Sequence, residues 1–223
     1  TASQVHDWLR KRVQQGDLPP GMRISETEVA AAIGISRQPV REAFIRLASD
    51  GLAEVRPQRG TFVVKISVKQ VIDARFVREA VEVAVARKAG EDLPAGIVRD
   101  LRDNLGAQRA AAEDSTPERF LDLDEAFHRT LALGIGCEYA WRVVEETKAQ
   151  MDRVRYLSLP HATPLDRLIH QHEAIVDAIE ARDPDGAEAA MRRHLREILT
   201  SLPELEQRFP DLFEGAAAPA ARP

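Results

Sequence analysis

Six histidines in 223 residues are few enough that the neighbours of each one matter. Asp124 and His128 stand four residues apart, so on a helix both project from one face. His172 lies close to Ala174, Ile175 and Ile179, and His194 close to Leu195 and Ile198, so both belong to segments with an apolar face. One carboxylate and three imidazoles form a borderline donor set. Such a set suits a divalent Zn, Ni, Mn, Co or Fe ion and leaves positions open for water or a carboxylate. Spacing by itself favours the plainer reading, in which these are core or surface histidines and Asp124–His128 is a helix-face pair of small energy. His161 and His170 are nearby, but His170 is two residues from His172 and points elsewhere on a helix.

A second group carries different chemistry. Ser36, Arg37, Gln38 and Arg41 fill the first turn and a half of a helical stretch that opens at Ser36. A helix N-terminus favours phosphate, and an arginine fork matches guanine O6 and N7 in a major groove. Pro39 costs little so early in a helix, because its missing N–H had no intrahelical partner. Further on, Arg59-Gly60 suits a minor groove, where glycine lets the backbone approach closely. Taken singly, these arginines are solvated charges. Cys137 is the single cysteine, which excludes an internal disulfide and a multi-cysteine zinc site. It points to a reducing cytoplasm.

The elements that must position these groups divide the chain in two. In the first third, Val5, Trp8, Leu9 and Val13 predict one face of a helix over 2–15. Leu18-Pro19-Pro20-Gly21 is a turn. Ser25 caps a short helix, with Glu28 completing a capping box. Ile33-Gly34-Ile35 is a tight turn, and Ser36 caps a helix to about Asp50 with Val40, Ala43, Phe44 and Leu47 inward. Residues 52–55 and 61–64 then form a hairpin around 56–60. Two short helices joined by a tight turn and followed by a hairpin make a winged helix-turn-helix, and this composite favours DNA as its partner.

From Ser67 the alphabet shifts to Ala, Leu, Val, Glu and Arg at helical spacing. The stop and start signals predict helices over 67–90, 94–113, 117–134, 138–157, 164–181 and 184–201. The fold class is therefore mainly α: a winged helix-turn-helix of three helices and a β-hairpin, then an all-helical antiparallel bundle of about six helices. The expected domains are 1–65 and 66–214, with a flexible tail over 215–223. Ten Lys and Arg against seven Asp and Glu make 1–65 basic, while the rest of a chain of net charge -5 is acidic, so the two parts are expected to meet different partners. The chain is 44% hydrophobic, which excludes global disorder, and no apolar run approaches membrane length. No secretory signal opens it, so a cytoplasmic protein without membrane attachment is expected.

These residues also carry a resemblance. Gly16-Asp17-Leu18-Pro19-Pro20-Gly21, Ile35-Ser36-Arg37-Gln38-Pro39-Val40-Arg41-Glu42-Ala43, Asp50-Gly51-Leu52 and Arg59-Gly60-Thr61-Phe62-Val63 resemble the winged domain of GntR-type transcription regulators across nearly all of 4–64. The resemblance implies that Arg37 and Arg41 read bases, that Ser36 and Gln38 support them, and that Gly60 belongs to the minor-groove wing. Thr27 stands where that family often has arginine. Phe120 to Arg129, His172 to Ile179 and Ala190 to Leu195 resemble the FCD effector domain of the FadR branch. That resemblance implies an all-helical bundle whose metal ligands are Asp124, His128, His172 and His194. Arg78-Glu79-Ala80-Val81-Glu82 is similar to the Arg-x-x-x-Glu of its first helix, which implies Arg78 as an anchor for an effector carboxylate. The residues alone balance this against an i,i+4 pair with Glu82.

The combined expectation is a DNA-binding regulator, a repressor, acting as a homodimer on a pseudo-palindromic operator, with affinity set by a small organic acid bound near a divalent metal ion. The alternatives are a metal sensor in which the ion is the signal, a purely structural metal, and a helical metalloenzyme fused to a DNA-binding domain. Against the enzyme, no His-Glu-x-x-His run occurs and no general base stands out.

Overall fold

The computed structural model describes residues 1–159 and 161–215, so the expected tail beyond Gly215 lies outside the described residues. The first third is built from α1 (Ala2–Gln14), β1 (Arg23–Ile24), α2 (Glu26–Ile33), α3 (Arg37–Ser49), β2 (Ala53–Arg56) and β3 (Gly60–Val63). Val5, Leu9 and Val13 of α1 pack on Val40, Ala43, Phe44 and Leu47 of α3, with Leu52 and Val63 closing the cluster. Trp8, expected on that face, is instead 37% exposed, with the Arg12 guanidinium over its ring. At about 100° per residue, Trp8 falls outside the arc spanned by Val5, Leu9 and Val13, whereas His6 nearly completes it. His6 is buried, and its Nε2 lies 2.6 Å from Asp50 Oδ2.

The hairpin of β2 and β3 gains a third strand, since β1 pairs antiparallel with β3 in the order β1-β3-β2. A strand of two residues is too short for alternation to announce it. Ser25 accepts from the Glu28 backbone, and this serine arm is the only arm of the expected capping box formed among the described residues.

The body consists of α4 (Val68–Glu91), α5 (Ala95–Glu113), α6 (Pro117–Gly134), α7 (Glu138–Thr147), α8 (Ala149–Ser158), α9 (Leu165–Glu180), α10 (Pro184–Leu195) and α11 (Ile198–Arg208), with a 3-10 turn over Pro210–Leu212. Leu101, Leu105, Phe127, Leu131, Ile175, Val176 and Met191 fill its largest core. Gly90 lets the end of α4 meet the start of α10, where a Cβ would come within 2.8 Å of the Pro184 Cα.

Two expected helices are broken. The helix over 138–157 breaks at Lys148, where the Thr147 hydroxyl donates back to the Val143 and Val144 carbonyls. The helix over 184–201 ends at Leu195, and α11 begins at Ile198. Neither break carries a glycine or proline, so no breaker signal marks it. The chain then closes on its own linker: Ile66 donates to the Leu212 carbonyl, Glu214 donates to the Ile66 carbonyl, and Phe213 is fully buried.

Helix α8 joins the two parts. Ala149 enters the core of the winged third. Gln150 donates to the Gly51 carbonyl at 2.5 Å and Arg153 to the Val64 carbonyl at 2.9 Å. Among the described residues, no helix is long and apolar enough to cross a membrane.

Candidate nucleic-acid interface and candidate metal centre

Buried Val40, Ala43, Phe44 and Leu47 hold one side of α3 against the core, so its other side must face solvent. That side presents Arg37, Gln38, Arg41 and Glu42, followed by Ile45 at 61% exposure. The spacing 38, 41, 42, 45 is one helix face, wide enough to enter a major groove. Gln38 Nε2 donates to Glu42 at 3.0 Å, and Arg37 reaches Glu26 at 3.4 Å. Ser36 precedes the helix in an extended conformation and makes no capping bond with its side chain. Sequence reasoning misses Glu42 and Ile45 as parts of this face.

The wing turns at Gln58 and Gly60, both at positive φ. At Gly60 a Cβ would lie 2.8 Å from the Arg23 Nε, so glycine is what lets β1 bring Arg23 against the turn. Arg56 stacks over Phe62 at 4.7 Å, and Arg59 is exposed. Three arginines thus gather at the wing, of which sequence reasoning names Arg59 alone. Arg23 can be found only once β1 is known.

In the body, Asp124 and His128 come from α6, His172 from α9 and His194 from α10. All four are buried, and one ligand atom from each lies within 4.8 Å of the others. His194 Nε2 is 3.1 Å from His128 Nε2 and 3.2 Å from His172 Nε2. Asp124 Oδ1 is 3.5 Å from His172 Nε2, and its Oδ2 is 3.9 Å from His128 Nε2.

The proton on each ring is fixed from outside. Asn104 donates to the Leu123 carbonyl at 3.0 Å, so its own oxygen faces Gln108, whose Nε2 donates to it at 2.7 Å. That leaves the Gln108 oxygen to accept from His172 Nδ1 at 2.9 Å. Gln171 donates to the Glu197 carboxylate at 2.8 Å, so its oxygen accepts from His194 Nδ1 at 3.1 Å. Glu82 Oε2 lies 2.5 Å from His128 Nδ1, off the ideal N–H axis. Each chain ends in a group that can only accept: a carbonyl or a carboxylate. The Nδ1 of His172 and of His194 must therefore carry the hydrogen, which turns the Nε2 of each toward the cluster.

Burial is the leading cause that pushes the imidazole of His172 down to about 3 and that of His194 well below its usual value. Both are neutral near pH 7. Burial would raise the Asp124 carboxyl, but Arg155 and the surrounding imidazoles together hold it well below the usual range. Glu82 is likewise raised by burial and brought to about 2 by Arg78 and His128. The bare lone pairs of His172 and His194 converge with the His128 Nε2 and the Asp124 carboxylate, and a divalent cation relieves the repulsion among these donors. The donor chemistry fits a borderline ion such as zinc or nickel.

A cavity of about 50 Å³ opens beside this cluster, lined by Arg78, Asp124, Arg155 and His194 with Leu121 and Met151. Arg78 Nε donates to Glu82 at 2.5 Å, the i,i+4 pair, and the residue also lines this cavity. Arg155 is absent from the sequence expectations. It donates to Asp124 from α8, a helix that the periodicity merges with α7. Gln108 and Gln171 also escape sequence reasoning, because no spacing rule links an amide on α5 to a ring on α9. Cys137 is half-buried at the start of α7. His170 is exposed, as expected.

Residues 1–63 match the model for bacterial regulatory proteins, gntR family, and residues 73–197 match the FCD domain. The chain is 42% identical to the HTH-type transcriptional repressor RspR of Escherichia coli K12, over 94% of this chain and 92% of that one. It is 33% identical to a probable D-xylose utilization operon transcriptional repressor of Paenarthrobacter nicotinovorans, over 89% and 87% of the two chains. Among solved structures, E. coli McbR/YncC superposes with a TM-score of 0.79 at 21% identity, over 93% of this chain and 98% of that one, a likeness of fold.

Proposed function

We propose, from the premise that the chain belongs to the gntR family of bacterial regulatory proteins and carries an FCD domain, that it is a cytoplasmic repressor whose operator affinity is set by a small organic acid held beside a divalent metal ion. The family is one of transcription regulators rather than enzymes, which sets the metalloenzyme alternative aside.

In this reading, residues 1–65 bind DNA, and residues 66–214 bind the effector and dimerise. Arg37 and Arg41 read bases from α3, with Ser36 and Gln38 in support, while Arg59 and Gly60 enter the minor groove. Asp124, His128, His172 and His194 hold the ion, which supplies a Lewis-acidic anchor for an oxygen ligand when bound. Arg78 takes the acid's carboxylate, its Nε already occupied by Glu82. The small cavity favours a small acid. A homodimer on a pseudo-palindromic operator is supported by the apolar stripe on α4, where Ile72 is 42% and Phe76 66% exposed.

The observation that carries the metal assignment is the convergence of three buried imidazole Nε2 atoms and the Asp124 carboxylate, with the Nδ1 of His172 and of His194 each held by an amide oxygen. Elemental analysis of the purified and chelator-treated protein, with a thermal-shift screen of small carboxylates on both, tests it. The expected result is one ion per chain and stabilisation by acids of the loaded form alone. Absence of bound ion, with acids still stabilising, would leave the four residues as pocket polar groups and overturn the metal assignment. Equal operator binding with and without a stabilising acid would remove the effector role.

A further inference from the structure

Arg155 stands between two partners that belong to different parts of the molecule. Through Nη2 it donates to Asp124 of the histidine cluster, and its Nη1 lies 3.4 Å from Asp152 one turn earlier on α8. Asp152 is itself buried and shared. It accepts from Gln14 Nε2 at 3.1 Å and from Lys148 Nζ at 2.8 Å, and Arg10 lies 3.6 Å away. Gln14 and Arg10 belong to α1, the first helix of the winged third. A second, charged cavity of about 200 Å³ opens at this α1–α8 junction. Arg155 lines both it and the cavity beside the cluster. A continuous chain of ion pairs and hydrogen bonds thus runs from the imidazoles through Asp124, Arg155 and Asp152 to α1.

We propose that Arg155 is a positioning residue that exchanges partners. When the charge of Asp124 is taken up by a cation at the histidine cluster, Arg155 turns to Asp152 and loosens the hold of α8 on α1.

The physical reason is charge compensation in a dry interior. An enclosed guanidinium cannot stay uncompensated. With Asp124 withdrawn, Asp152 is the nearest carboxylate, 3.4 Å away in the structure. Gln14, Lys148 and Arg10 all share its Oδ2 while Arg155 faces its Oδ1, so a closer Arg155 draws the carboxylate toward itself and stretches the bonds from α1 to the other oxygen. Lys148 has a second partner, Glu125 at 2.8 Å, whereas the bond of Gln14 runs to Asp152. The hydrogen bond between the two domains therefore gives way first. The neighbouring bonds from Gln150 to Gly51 and Arg153 to Val64 lie on the same short helix, so a shift of α8 is felt along the whole docking face. This inference rests on the metal reading proposed above and adds the route by which the site reaches the winged third.

The test uses the full chain and Zn²⁺ alone as the probe. Zn²⁺ binding is measured by equilibrium dialysis, and amide hydrogen exchange is followed on peptides from α1 and α8. In the wild type, Zn²⁺ should speed exchange in α1 by about tenfold while slowing it around His172 and His194. Arg155→Gln should still bind Zn²⁺ yet leave α1 exchange unresponsive. If Arg155→Gln does not fold, Gln14→Leu, which lies outside the cluster, should bind Zn²⁺ normally and show fast α1 exchange before and after addition. Zn²⁺ binding with no change in α1 of the wild type, or with an undiminished change in Arg155→Gln or Gln14→Leu, overturns the relay and leaves the metal site standing. No Zn²⁺ binding overturns the metal reading, and the relay falls with it.

Discussion

Arg37 and Gln38 stand in solvent at the start of α3, each bonded to a nearby carboxylate, whereas His172 is fully buried with its ring held by an amide chain that ends at the Leu123 carbonyl. The first arrangement leaves side chains free to adapt to a groove, and their order is supplied when DNA arrives. The second is fixed before any ligand comes, because a buried lone pair that missed its partner would be costly. The two regions therefore differ in how much of the binding geometry the fold itself supplies, and substitutions should expose that difference.

The largest effect is expected at the cluster. His172→Ala removes a donor and should weaken Zn²⁺ binding by more than about 100-fold, since outer partners alone are worth roughly 10–100-fold. Equilibrium dialysis checks it, and a loss below tenfold would mean the cluster is not preorganised for metal. Gln108→Leu tests the outer chain itself. It leaves all four candidate ligands in place but releases the His172 ring, and it should cost on the order of 10–100-fold in Zn²⁺ affinity. An unchanged affinity would show that ring orientation is set by packing against Phe127 instead, which stacks on His172 at 4.4 Å.

On the adaptable surface the cost of one residue is smaller. Arg41→Ala should weaken binding to a duplex selected from random-sequence DNA by about tenfold, and relax preference at one base position. Fluorescence anisotropy reads this, and a uniform loss across sequences would make Arg41 a phosphate contact.

The smallest effects separate the regions by sign. His172 and His194 have depressed values in the folded chain, so below pH 6.5 the unfolded chain binds protons that the folded chain does not. Metal-free protein should therefore lose stability as pH falls below about 6.5, by up to about 1 kcal/mol per pH unit for each ring. His6 behaves oppositely. Its hydrogen bond to Asp50 raises its value, so its contribution is full below 6.5 and is lost as pH rises through the raised value. Denaturant unfolding against pH for the wild type and His6→Gln checks both slopes. A His6→Gln curve parallel to wild type between pH 6 and 8 would remove the His6 contribution.

The winged third is legible because its signals are local. Caps, tight turns and a short hairpin are written in adjacent residues, and the details that differ are Trp8, the third strand and one arm of the capping box. The body is legible as helices but not as breaks. Lys148 and Arg196 stand at the two breaks and bond residues far away in sequence: Lys148 to Glu125, and Arg196 to Glu79. No helical periodicity carries that information. Glu79 gathers Arg75, Arg192 and Arg196, which together hold it at about 2 against the opposing effect of burial, and it clasps α4 to α10.

The sequence by itself determined the helix types, the exposed face of α3 and the identity of the four cluster residues, because residue type, spacing and family resemblance suffice for those. Only the tertiary structure decided that the four donors meet, that Gln108 and Gln171 orient the rings of His172 and His194, and that Arg155 links them to the winged third. Those facts depend on distances between segments dozens of residues apart. Such distances are set by how four helices pack, and packing is decided by the whole core at once rather than by any local run of residues.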